Sequence, residues 1–345
     1  MKRTGSVLPG IESGSENECY NFRMARTAVG ILRGGTSSEY PLSLKTGAAM
    51  LAALPDDRYD TRDIFIDKQG YWHLRGTPVE AARALAQVDV VLNALHGGAG
   101  EDGTVQRILE RAGTPYAGAR PHPSATALNK VKARELLRGA GVPMPRAVSF
   151  SVHNDLTTGE MERLVFDQFG PPFVIKPTSE GAGAGIALAM TLVQLPDALA
   201  DVLDAYGAAV VEELIRGQEA SVAVIENFRG EELYVLPPAH VLLPEGADFM
   251  SPRAHEEALV RYVVPSNFSH SEKQALADIA RAAHRALELS HFSRADIILT
   301  ARGPVLLEVN TTPGLYPGAS LPLMLESVGS SVREFLEHAI HLAKR

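Results

Sequence analysis

The sequence has few of the features found in secreted or membrane-spanning proteins. Its only cysteine is Cys19, so no disulfide can form within the chain, and this composition fits a reducing cytosolic environment. No segment approaches the run of about 18 uninterrupted apolar residues that a membrane-spanning helix needs. We therefore expect a cytoplasmic protein that does not span a membrane.

An excess of positive charge is also missing. The formal net charge is −8 over 345 residues, which does not favour a nucleic-acid partner. The 45% of hydrophobic and 21% of charged residues are ordinary for a globular protein. A chain of this length exceeds one ordinary hydrophobic core, so we expect two or three domains.

The distribution of apolar runs predicts where these domains lie. Residues 1–25 lack periodicity and predict a disordered tail, with a start codon assigned upstream of the true one as the alternative. Alternating strands and helices over 26–119 predict an N-terminal α/β domain with a parallel sheet. Mixed α+β regions are expected at 120–210 and 211–345. The spacing predicts one helix over Ser124–Ala140, whereas Pro237–Arg261 lacks a clear period and resembles a lid or binding loop.

Polar side chains at the end of a C-terminal strand predict a metal site. Glu308 and Asn310 lie on the same face of the strand, because strand side chains alternate with period two. Asp296 lies on the preceding strand, and the three side chains converge if those strands pair. Two carboxylates and an amide suit Mg²⁺. The alternative is that these are strand-end polar residues that cap a turn.

Two lysines are candidate phosphate ligands. Lys176 ends an apolar strand and precedes the glycine-rich loop Gly181–Gly185, whose amides could supply further donors to an anion. The loop is not a Walker A motif, because no Gly-Lys-Ser/Thr follows. A plain flexible turn is the alternative for the loop, and a solvated helix lysine is the alternative for Lys130.

Acidic and histidine side chains at strand ends are candidate ligand-binding groups. Glu212 and Glu213 end an apolar strand, and together with Glu219 they could accept from an adenine amino group or a ribose hydroxyl. Solvated strand-end charges are the alternative. The N-terminal loops supply Glu39, His96, Glu101 and Asp102, and His96 lies at the carboxyl end of a strand, where α/β proteins bind ligands.

Six segments in one order resemble the D-alanine–D-alanine ligase family of ATP-grasp enzymes. The resemblance runs from about residue 27 to the C-terminus. The matching segments are Gly34–Glu39 with Ser43-Leu44, Ala94–Gly97 with Gly100–Gly103, Lys130 through Pro143, Val174–Pro177 with Glu180-Gly181, Val211–Glu213, and Leu307–Asn310 with Pro313-Gly314. This resemblance implies an α/β protein, α+β in its ATP-grasp part. The expected architecture has three subdomains: an N-terminal parallel-sheet substrate domain, a central ATP-grasp subdomain at 120–210, and a C-terminal one at 211–345 that carries the metal site and the lid.

The resemblance implies a role for each matching residue. Asp296, Glu308 and Asn310 are similar to the magnesium ligands, and Arg294 to the arginine that stabilises the tetrahedral intermediate. Glu39 resembles the acid that anchors the first substrate's ammonium group, and His96 the histidine near that substrate. The residues that resemble nucleotide ligands are Lys130 and Lys176 at the phosphates, Glu180 in the phosphate loop, Glu212 facing the adenine, Glu213 and Ile215 through their backbones, and Glu219 at the ribose.

The sequence departs from the family pattern at three places. The phosphate loop has Ala182 where the family usually has a serine that links the first-substrate acid to a lid tyrosine. The lid segment Pro244–His255 has neither the usual lysine nor the usual tyrosine, and Arg253 is the candidate replacement for the lysine. Tyr316 and its neighbours replace the usual Ser-Leu pair that receives the second substrate's carboxylate, which leaves Ser320 as the candidate serine.

The function that the resemblance implies is ligation of a carboxylate to an amine through an acyl phosphate, to form a D-Ala-D-Ala-type dipeptide for peptidoglycan synthesis. It implies ATP, one or two Mg²⁺ ions with Mn²⁺ as a substitute, small-molecule amino-acid substrates and a homodimer. The altered loops leave two alternatives: an ATP-grasp ligase for other amino acids in a specialised pathway, and a nucleotide-binding protein without ligase activity. The presence of Arg294 argues against the last, because binding ATP alone needs no group that stabilises an oxyanion.

Overall fold

The computed structural model describes residues 26–181, 183–243 and 260–345. The predicted tail at 1–25 therefore lies outside the described residues, as do Ala182, Arg253 and the predicted lid segment Pro244–His255. No helix within these three described ranges is long and apolar enough to cross a lipid bilayer.

The N-terminal sheet is mostly parallel, which confirms the predicted parallel sheet. Its strands are β1 (Thr27–Gly34), β2 (Tyr59–Ile66), β3 (Trp72–Leu74), β4 (Thr77–Pro78), β5 (Val90–Asn93) and β6 (Tyr116–Ala117), in the order β4-β3-β2-β1-β5-β6. Strand β1 pairs in parallel with β2 and β5, and β5 pairs in parallel with β6. The helices of this region are α1 (Tyr40–Ala53), α2 (Ala81–Leu85) and α3 (Thr104–Arg111), with a 3₁₀ turn at Gly98–Gly100.

A four-stranded antiparallel sheet forms the central part of the chain. Its strands are β7 (Ala147–Ser151), β8 (Phe173–Pro177), β9 (Ala187–Ala189) and β10 (Ala208–Glu213), in the order β7-β10-β8-β9. Helices α6 (Thr158–Phe166) and α7 (Leu195–Tyr206) lie in the same region, and a 3₁₀ turn at Leu192–Gln194 precedes α7. Phe173, Ile175, Val211 and Leu199 share one buried core here. The predicted boundary at 210/211 falls inside β10, because that strand pairs as a whole with β7 and β8.

A second antiparallel sheet carries the C-terminal part. Its strands are β11 (Gln218–Phe228), β12 (Glu231–Val235), β13 (Ala239–Leu242), β14 (Arg261–Val263), β15 (Phe292–Thr300) and β16 (Gly303–Asn310), ordered β14-β13-β11-β15-β16 with β12 beside β11. The helices are α8 (His270–Ala286), α9 (Ser320–Ser327) and α10 (Val332–Ala343). Phe335 and Leu336 of α10 share a core cluster with Val29 and Ile31 of β1, so the end of the chain packs against the first sheet.

The predicted helix over Ser124–Ala140 is wrong in one respect, because two helices occupy this segment. They are α4 (Pro121–Leu128) and α5 (Lys130–Gly139), separated by Asn129 at φ −83° and ψ 104°. The Asn129 side chain accepts a hydrogen bond from the backbone N–H of Lys132 and so caps α5. The amide of Lys130 donates to the carbonyl of Thr178, 2.8 Å away. The break places Lys130 at the first turn of α5, beside the glycine-rich loop.

Candidate active site

One cavity is lined by residues from all three sheets. Among the described residues, it contains every site residue that the sequence predicted except Asp102 and Ser320. These lining residues are Glu39, His96, Lys130, Lys176, Glu180, Glu212, Glu213, Ile215, Glu219, Arg294, Asp296, Glu308 and Asn310. Glu39 and Asn310, which are 271 positions apart in the chain, therefore line the same cavity, and the sequence order alone could not place them together.

A buried group of three charged side chains forms one side of this cavity. The Lys176 ammonium on β8 lies 2.7 Å from the Glu212 carboxylate on β10, and the Arg134 guanidinium on α5 contacts the same carboxylate. Burial alone would raise the pKa of Glu212, but the two cations lower it below its usual value. Burial alone would lower the pKa of Lys176, yet Glu212 raises it. All three groups are therefore held in their charged forms.

This pairing qualifies the role that the resemblance implied for Glu212. The carboxylate faces two cations rather than standing free for an adenine amino group. Its neighbour Glu213 forms a more exposed pair with Arg146, at 2.6 Å. Apolar side chains line the adjacent part of the cavity: Pro145, Val174, Leu214, Ile215, Ile298 and Leu307. A flat, weakly polar ring such as a purine fits a lining of this kind.

Lys130 connects this charged group with the opposite side of the cavity. Its ammonium donates to the backbone carbonyl of Glu180, so the lysine holds the start of the glycine-rich loop. The same ammonium lies 3.8 Å from the Glu308 carboxylate. Lys130 is therefore a partly buried cation that lines the cavity, and not the solvated helix lysine that was its alternative.

The predicted pairing of the two C-terminal strands is confirmed. Strands β15 and β16 are antiparallel neighbours, with Asp296 opposite Glu308 and Arg294 opposite Asn310. The Asn310 amide nitrogen donates to Asp296 Oδ2 at 2.9 Å, so its amide oxygen is the atom that could ligate a cation. Burial and the Glu308 charge raise the pKa of Asp296, although Arg294 acts in the opposite direction.

This donor set fits a Mg²⁺ ion that is held partly by the protein and partly by a bound nucleotide. No group of three or more His, Cys, Asp or Glu side chains within the described parts of the chain is arranged to enclose a metal ion. Mg²⁺ in nucleotide enzymes is usually held by one or two carboxylates, with phosphate and water oxygens completing the octahedron. Asp296, Glu308 and the Asn310 oxygen match that requirement.

Arg294 is the cation that lies among the carboxylates of Asp296 and Glu308. Its guanidinium donates to Asp296 Oδ2 at 2.8 Å, and the charges of Asp296 and Glu308 raise its pKa against the opposing effect of burial. Its buried Nε has no hydrogen-bond partner among the described residues. A buried donor without a partner is costly, so a ligand oxygen that accepts from this group would be favoured.

Glu219 adds another carboxylate to this side. It lies on β11 opposite Ile298 of β15, beside the strand that carries Asp296. Burial, together with the charges of Asp296 and Glu308, raises the pKa of Glu219 to about 7. The carboxylate is therefore under-neutralised by its protein surroundings.

Glu39 lies where the N-terminal sheet meets the glycine-rich loop. It immediately precedes α1, and burial with the nearby charges of Glu101 and Glu308 raises its pKa to about 8. Two glycines leave room for it, because a Cβ at Gly181 would lie 2.4 Å from Glu39 Oε1 and one at Gly97 would lie 2.7 Å from it. A cationic ligand here would return the carboxylate to its ionised form.

His96 and Glu101 support the same corner of the cavity. His96 Nε2 lies 2.8 Å from the Thr46 hydroxyl on α1, and the ring is almost fully buried. Glu101 accepts from the Gly97 amide at 2.8 Å and from the Thr311 hydroxyl at 2.8 Å. Glu101 therefore ties the N-terminal loop to the segment that follows β16.

Sequence reasoning missed three residues of this region. Arg134 follows Lys130 by four positions, a spacing that places both on one helix face and could have signalled its role. Tyr316 was counted only as a departure from the family, yet it lines the cavity. Ser221 has no motif signal, and only its hydrogen bond to Asp296 identifies it.

Ser320 is the predicted site residue that the structure places elsewhere. It is not among the residues that line the cavity, and its hydroxyl lies 3.1 Å from that of Ser221 in the interior. Ser320 is the first residue of α9, a helix that contacts β11. This geometry argues against direct contact of Ser320 with a second substrate.

Comparisons with known proteins identify the family of the chain. The family profile for the D-ala D-ala ligase C-terminus matches residues 136–341, and the profile for the N-terminus matches residues 75–119. The D-alanine–D-alanine ligase of Desulforudis audaxviator is 31% identical over 321 residues, covering 92% of this chain and 98% of that protein. The enzyme of the same name from Geobacter sulfurreducens is 32% identical over 322 residues, covering 91% and 93%.

Solved structures show the same architecture. A D-Ala:D-Ser ligase from Enterococcus faecalis superposes with a TM-score of 0.81 at 26% identity, covering 92% of this chain and 100% of that one. A D-alanine–D-alanine ligase from Bacillus anthracis complexed with ATP superposes with a TM-score of 0.74 at 26% identity, covering 92% and 97%. The chain therefore belongs to the D-alanine–D-alanine ligase family.

Proposed function

We propose that this protein is an ATP-dependent ligase that joins two amino acids, forming a dipeptide of the D-alanyl-D-alanine type for peptidoglycan synthesis. The observation that carries the proposal is the single cavity in which Lys130, Lys176 and Arg294 face an excess of acidic groups around Glu39. A phosphate donor and an ammonium-bearing substrate would each find opposite charges there. The names of the relatives support the choice of amino acids.

The nucleotide would lie between the second and third sheets. The apolar slot around Ile215 and Val174 would take the purine ring, with backbone groups of Glu213 and Ile215 at its edge. Glu219 would meet the ribose, while Lys130 and Lys176 would meet the phosphates beside the loop that begins at Glu180. The Lys176–Glu212–Arg134 group supports this role, because a lysine held charged by a fixed partner needs no rearrangement when an anion arrives.

Mg²⁺ would be held by Asp296, Glu308 and the Asn310 oxygen together with phosphate oxygens. When bound, it supplies charge neutralisation and Lewis-acid polarisation of the transferred phosphoryl group. The Lys130 ammonium lies 3.8 Å from the Glu308 carboxylate, so it would contact a phosphate group that is bound next to the Mg²⁺ ion. One or two ions are expected, and Mn²⁺ is the expected substitute.

The chemistry would proceed in two steps that these residues can serve. Glu39 would bind the ammonium group of the first amino acid near His96. The carboxylate of that amino acid would then attack the γ-phosphoryl group of ATP, and ADP would leave. The amine of the second amino acid then adds to the carbonyl carbon of the acyl phosphate, and the C–O bond breaks as phosphate departs. The Arg294 guanidinium would stabilise the oxyanion during addition, which fits a buried Nε that has no hydrogen-bond partner within the described part of the chain.

A ligase for a different second amino acid is the second candidate. The observation that favours it is the position of Ser320, whose hydroxyl is directed at Ser221 and not at the cavity. Tyr316 lines the cavity from the same loop, so the acceptor would meet an aromatic ring there. The Enterococcus faecalis neighbour is a D-Ala:D-Ser ligase, which makes D-serine the alternative acceptor to test.

One experiment tests both candidates. Phosphate release and dipeptide mass are measured with ATP, Mg²⁺ and a panel of D- and L-amino acids, singly and in pairs. The expected result is a D-alanyl dipeptide, with one phosphate released per peptide bond. A panel that yields no dipeptide under these conditions would reject the ligase proposal, and a product with another second residue would favour the second candidate.

We also propose that the protein is a cytoplasmic homodimer without nucleic-acid or membrane partners. The support is the family resemblance, the single cysteine and the net charge of −8. Light scattering on the purified protein tests the dimer, and a monomer at all concentrations would contradict it.

A further inference from the structure

A chain of buried hydroxyl groups leads from α9 to the proposed metal site. The hydroxyls of Ser320 and Ser221 lie 3.1 Å apart, and both residues are almost completely inaccessible to solvent. Ser221 also lies directly opposite Asp296 where β11 pairs with β15, and its hydroxyl interacts with the Asp296 carboxylate. Three side chains from distant parts of the sequence therefore form one continuous chain.

The direction of this chain follows from its chemistry. An ionised carboxylate can only accept hydrogen bonds, so Ser221 must donate its single hydroxyl proton to Asp296. Ser221 Oγ then serves as the acceptor for Ser320, whose own proton is thereby directed inward. Hydrogen bonds arranged in one direction polarise each other, so the outer serine strengthens the bond that the inner serine makes.

The chain completes the support of Asp296 from three strands. Ser221 lies on β11 directly opposite Asp296 on β15. The carboxylate also accepts from Arg294, two residues away on its own strand, at 2.8 Å and from Asn310 on β16 at 2.9 Å. Donors on β11, β15 and β16 therefore determine the rotamer of Asp296. Ser221 is the donor on β11.

The outer end of the chain lies at the start of α9. Ser320 directly follows the loop 311–319, which begins after Asn310 and lines the cavity with Thr312, Gly314 and Tyr316. The carboxylate that would ligate Mg²⁺ and the loop on the acceptor side of the cavity are thus joined through two hydroxyl groups. The contact with Ser221 gives the buried Ser320 hydroxyl a hydrogen-bond partner.

We propose that Ser221 and Ser320 are positioning residues, which orient the Asp296 carboxylate for the metal ion and connect that ligand to the start of α9. This inference rests on the proposed function, since it assumes a divalent cation at Asp296. Groups that donate to a ligating carboxylate commonly change metal affinity by about 10- to 100-fold when removed. Ser221 acts directly on Asp296, whereas Ser320 acts only through Ser221.

A purely structural role makes a different prediction. If the two hydroxyls only satisfy one another between α9 and β11, their removal would lower thermal stability and leave metal affinity unchanged. Ser293 supplies a matched control for this outcome. It is a buried serine on the same strand as Asp296, and its hydroxyl lies 2.8 Å from His284 Nδ1, away from the metal ligands.

The test compares Mn²⁺ binding by full-length variants in the presence of ADP, with free Mn²⁺ followed by electron paramagnetic resonance. The variants are Ser221→Ala, Ser221→Thr, Ser320→Ala, the double alanine variant and Ser293→Ala. We expect the Mn²⁺ dissociation constant to rise about 10-fold in Ser221→Ala and less in Ser320→Ala. Ser221→Thr keeps the hydroxyl and should stay close to wild type, while Ser293→Ala should lose thermal stability only.

The double variant tests the chain itself. Because Ser320 acts through Ser221, adding Ser320→Ala to Ser221→Ala should cause little further loss of Mn²⁺ affinity. A Ser221→Ala dissociation constant within twofold of wild type, or an equal effect in Ser293→Ala, would overturn the inference. If Ser221→Ala does not fold, the other two single variants decide. Weakened Mn²⁺ binding by Ser320→Ala, with near wild-type binding by Ser221→Thr, supports the inference. Unchanged Mn²⁺ binding by Ser320→Ala overturns it.

The experiment also separates this inference from the proposed function. A wild-type protein that binds Mn²⁺ with ADP but forms no dipeptide contradicts the ligase proposal alone. A wild-type protein that forms dipeptide, with serine variants of unchanged Mn²⁺ affinity, contradicts the positioning role alone.

Discussion

The two sides of the cavity handle buried charge in opposite ways. On the side of Lys176, two cations flank one carboxylate, and all three groups are held in their charged forms. On the side of Arg294, several carboxylates crowd around few cations. Burial and mutual repulsion raise the pKa of Glu219 to about 7 and that of Glu39 to about 8.

The difference shows which part of the site is complete without a ligand. The Lys176 side has its charges paired by the protein itself, with a slight cationic excess that suits phosphate. The Arg294 side has too little positive charge to balance its carboxylates, and the proposed ligands would supply more: Mg²⁺ at Asp296 and Glu308, and an ammonium group at Glu39. The first side is preorganised, and the second is completed by what it binds. Four experiments can break or sharpen this comparison.

The largest effect is expected for Glu308→Gln. Removing one of two metal carboxylates should lower turnover by about 10³-fold, because metal polarisation supplies several kcal/mol of transition-state stabilisation. Thermal stability should stay the same or rise, since the change relieves repulsion among buried acids. Dipeptide formation at matched Mg²⁺ measures the first effect, with the exposed Glu232→Gln as the control. Wild-type turnover in the variant would remove Glu308 from the site.

A large loss of stability is expected for Glu212→Gln. The change leaves Lys176 and Arg134 buried without a counter-charge, and breaking a buried pair in this way typically costs about 3–5 kcal/mol. Glu213→Gln is the matched control, because its partner Arg146 is exposed and such pairs contribute under about 1 kcal/mol. Urea denaturation of both variants gives the comparison. Equal losses would show that the Lys176 side is not the more tightly paired one.

The acidic side should make the ligand-free protein less stable as pH rises. Glu39 and Glu219 have folded-state pKa values of about 8 and about 7, above the unfolded value of 4.5. A raised carboxyl pKa contributes stability that is complete below the unfolded pKa and is lost as pH rises through the folded pKa. The Tm should therefore fall by a few degrees between pH 5 and pH 9. Glu39→Gln and Glu219→Gln should flatten this profile, and Mg²⁺ with ADP should do the same for wild type. A Tm that does not change between pH 5 and pH 9 in the ligand-free wild type would contradict the proposed excess of carboxylates on the Arg294 side.

The smallest effect is expected for Gly181→Ala. The new Cβ would lie 2.4 Å from Glu39 Oε1 and would displace that carboxylate from the loop. Because Glu39 is a flexible side chain, the fold should survive, and the KM for the first amino acid should rise by about 10-fold, close to the cost of one weakened ionic contact. The ATP KM should change little, because Lys176 is untouched. Gly170→Ala has open space around its Cβ and serves as the control. An equal rise in both KM values would place Gly181 on the nucleotide side instead.

Several elements of the fold were predictable from local patterns. The apolar run at Thr27–Leu32 with a glycine-rich turn and a helix after it predicts β1 and α1, and the hairpin of β15 and β16 follows from two apolar runs around a short turn. Strand β2 was missed, because Tyr59–Ile66 carries charged residues among its apolar ones; one of them, Asp63, pairs with Arg33 on β1. Strands β13 and β14 were missed within a stretch without clear period, because each is only a few residues long.

By itself, the sequence determined which chemical groups are present and how they are spaced along each strand. Period-two alternation placed Glu308 and Asn310 on one face, and the order of six segments indicated the family. Only the tertiary structure decided the orientation of side chains whose partners are far away in the chain. Ser320 meets Ser221, 99 residues away, and Arg134 meets Glu212, 78 residues away. Spacing along one strand or helix is set by local backbone geometry, whereas the partner of a buried polar group depends on how whole sheets and helices pack.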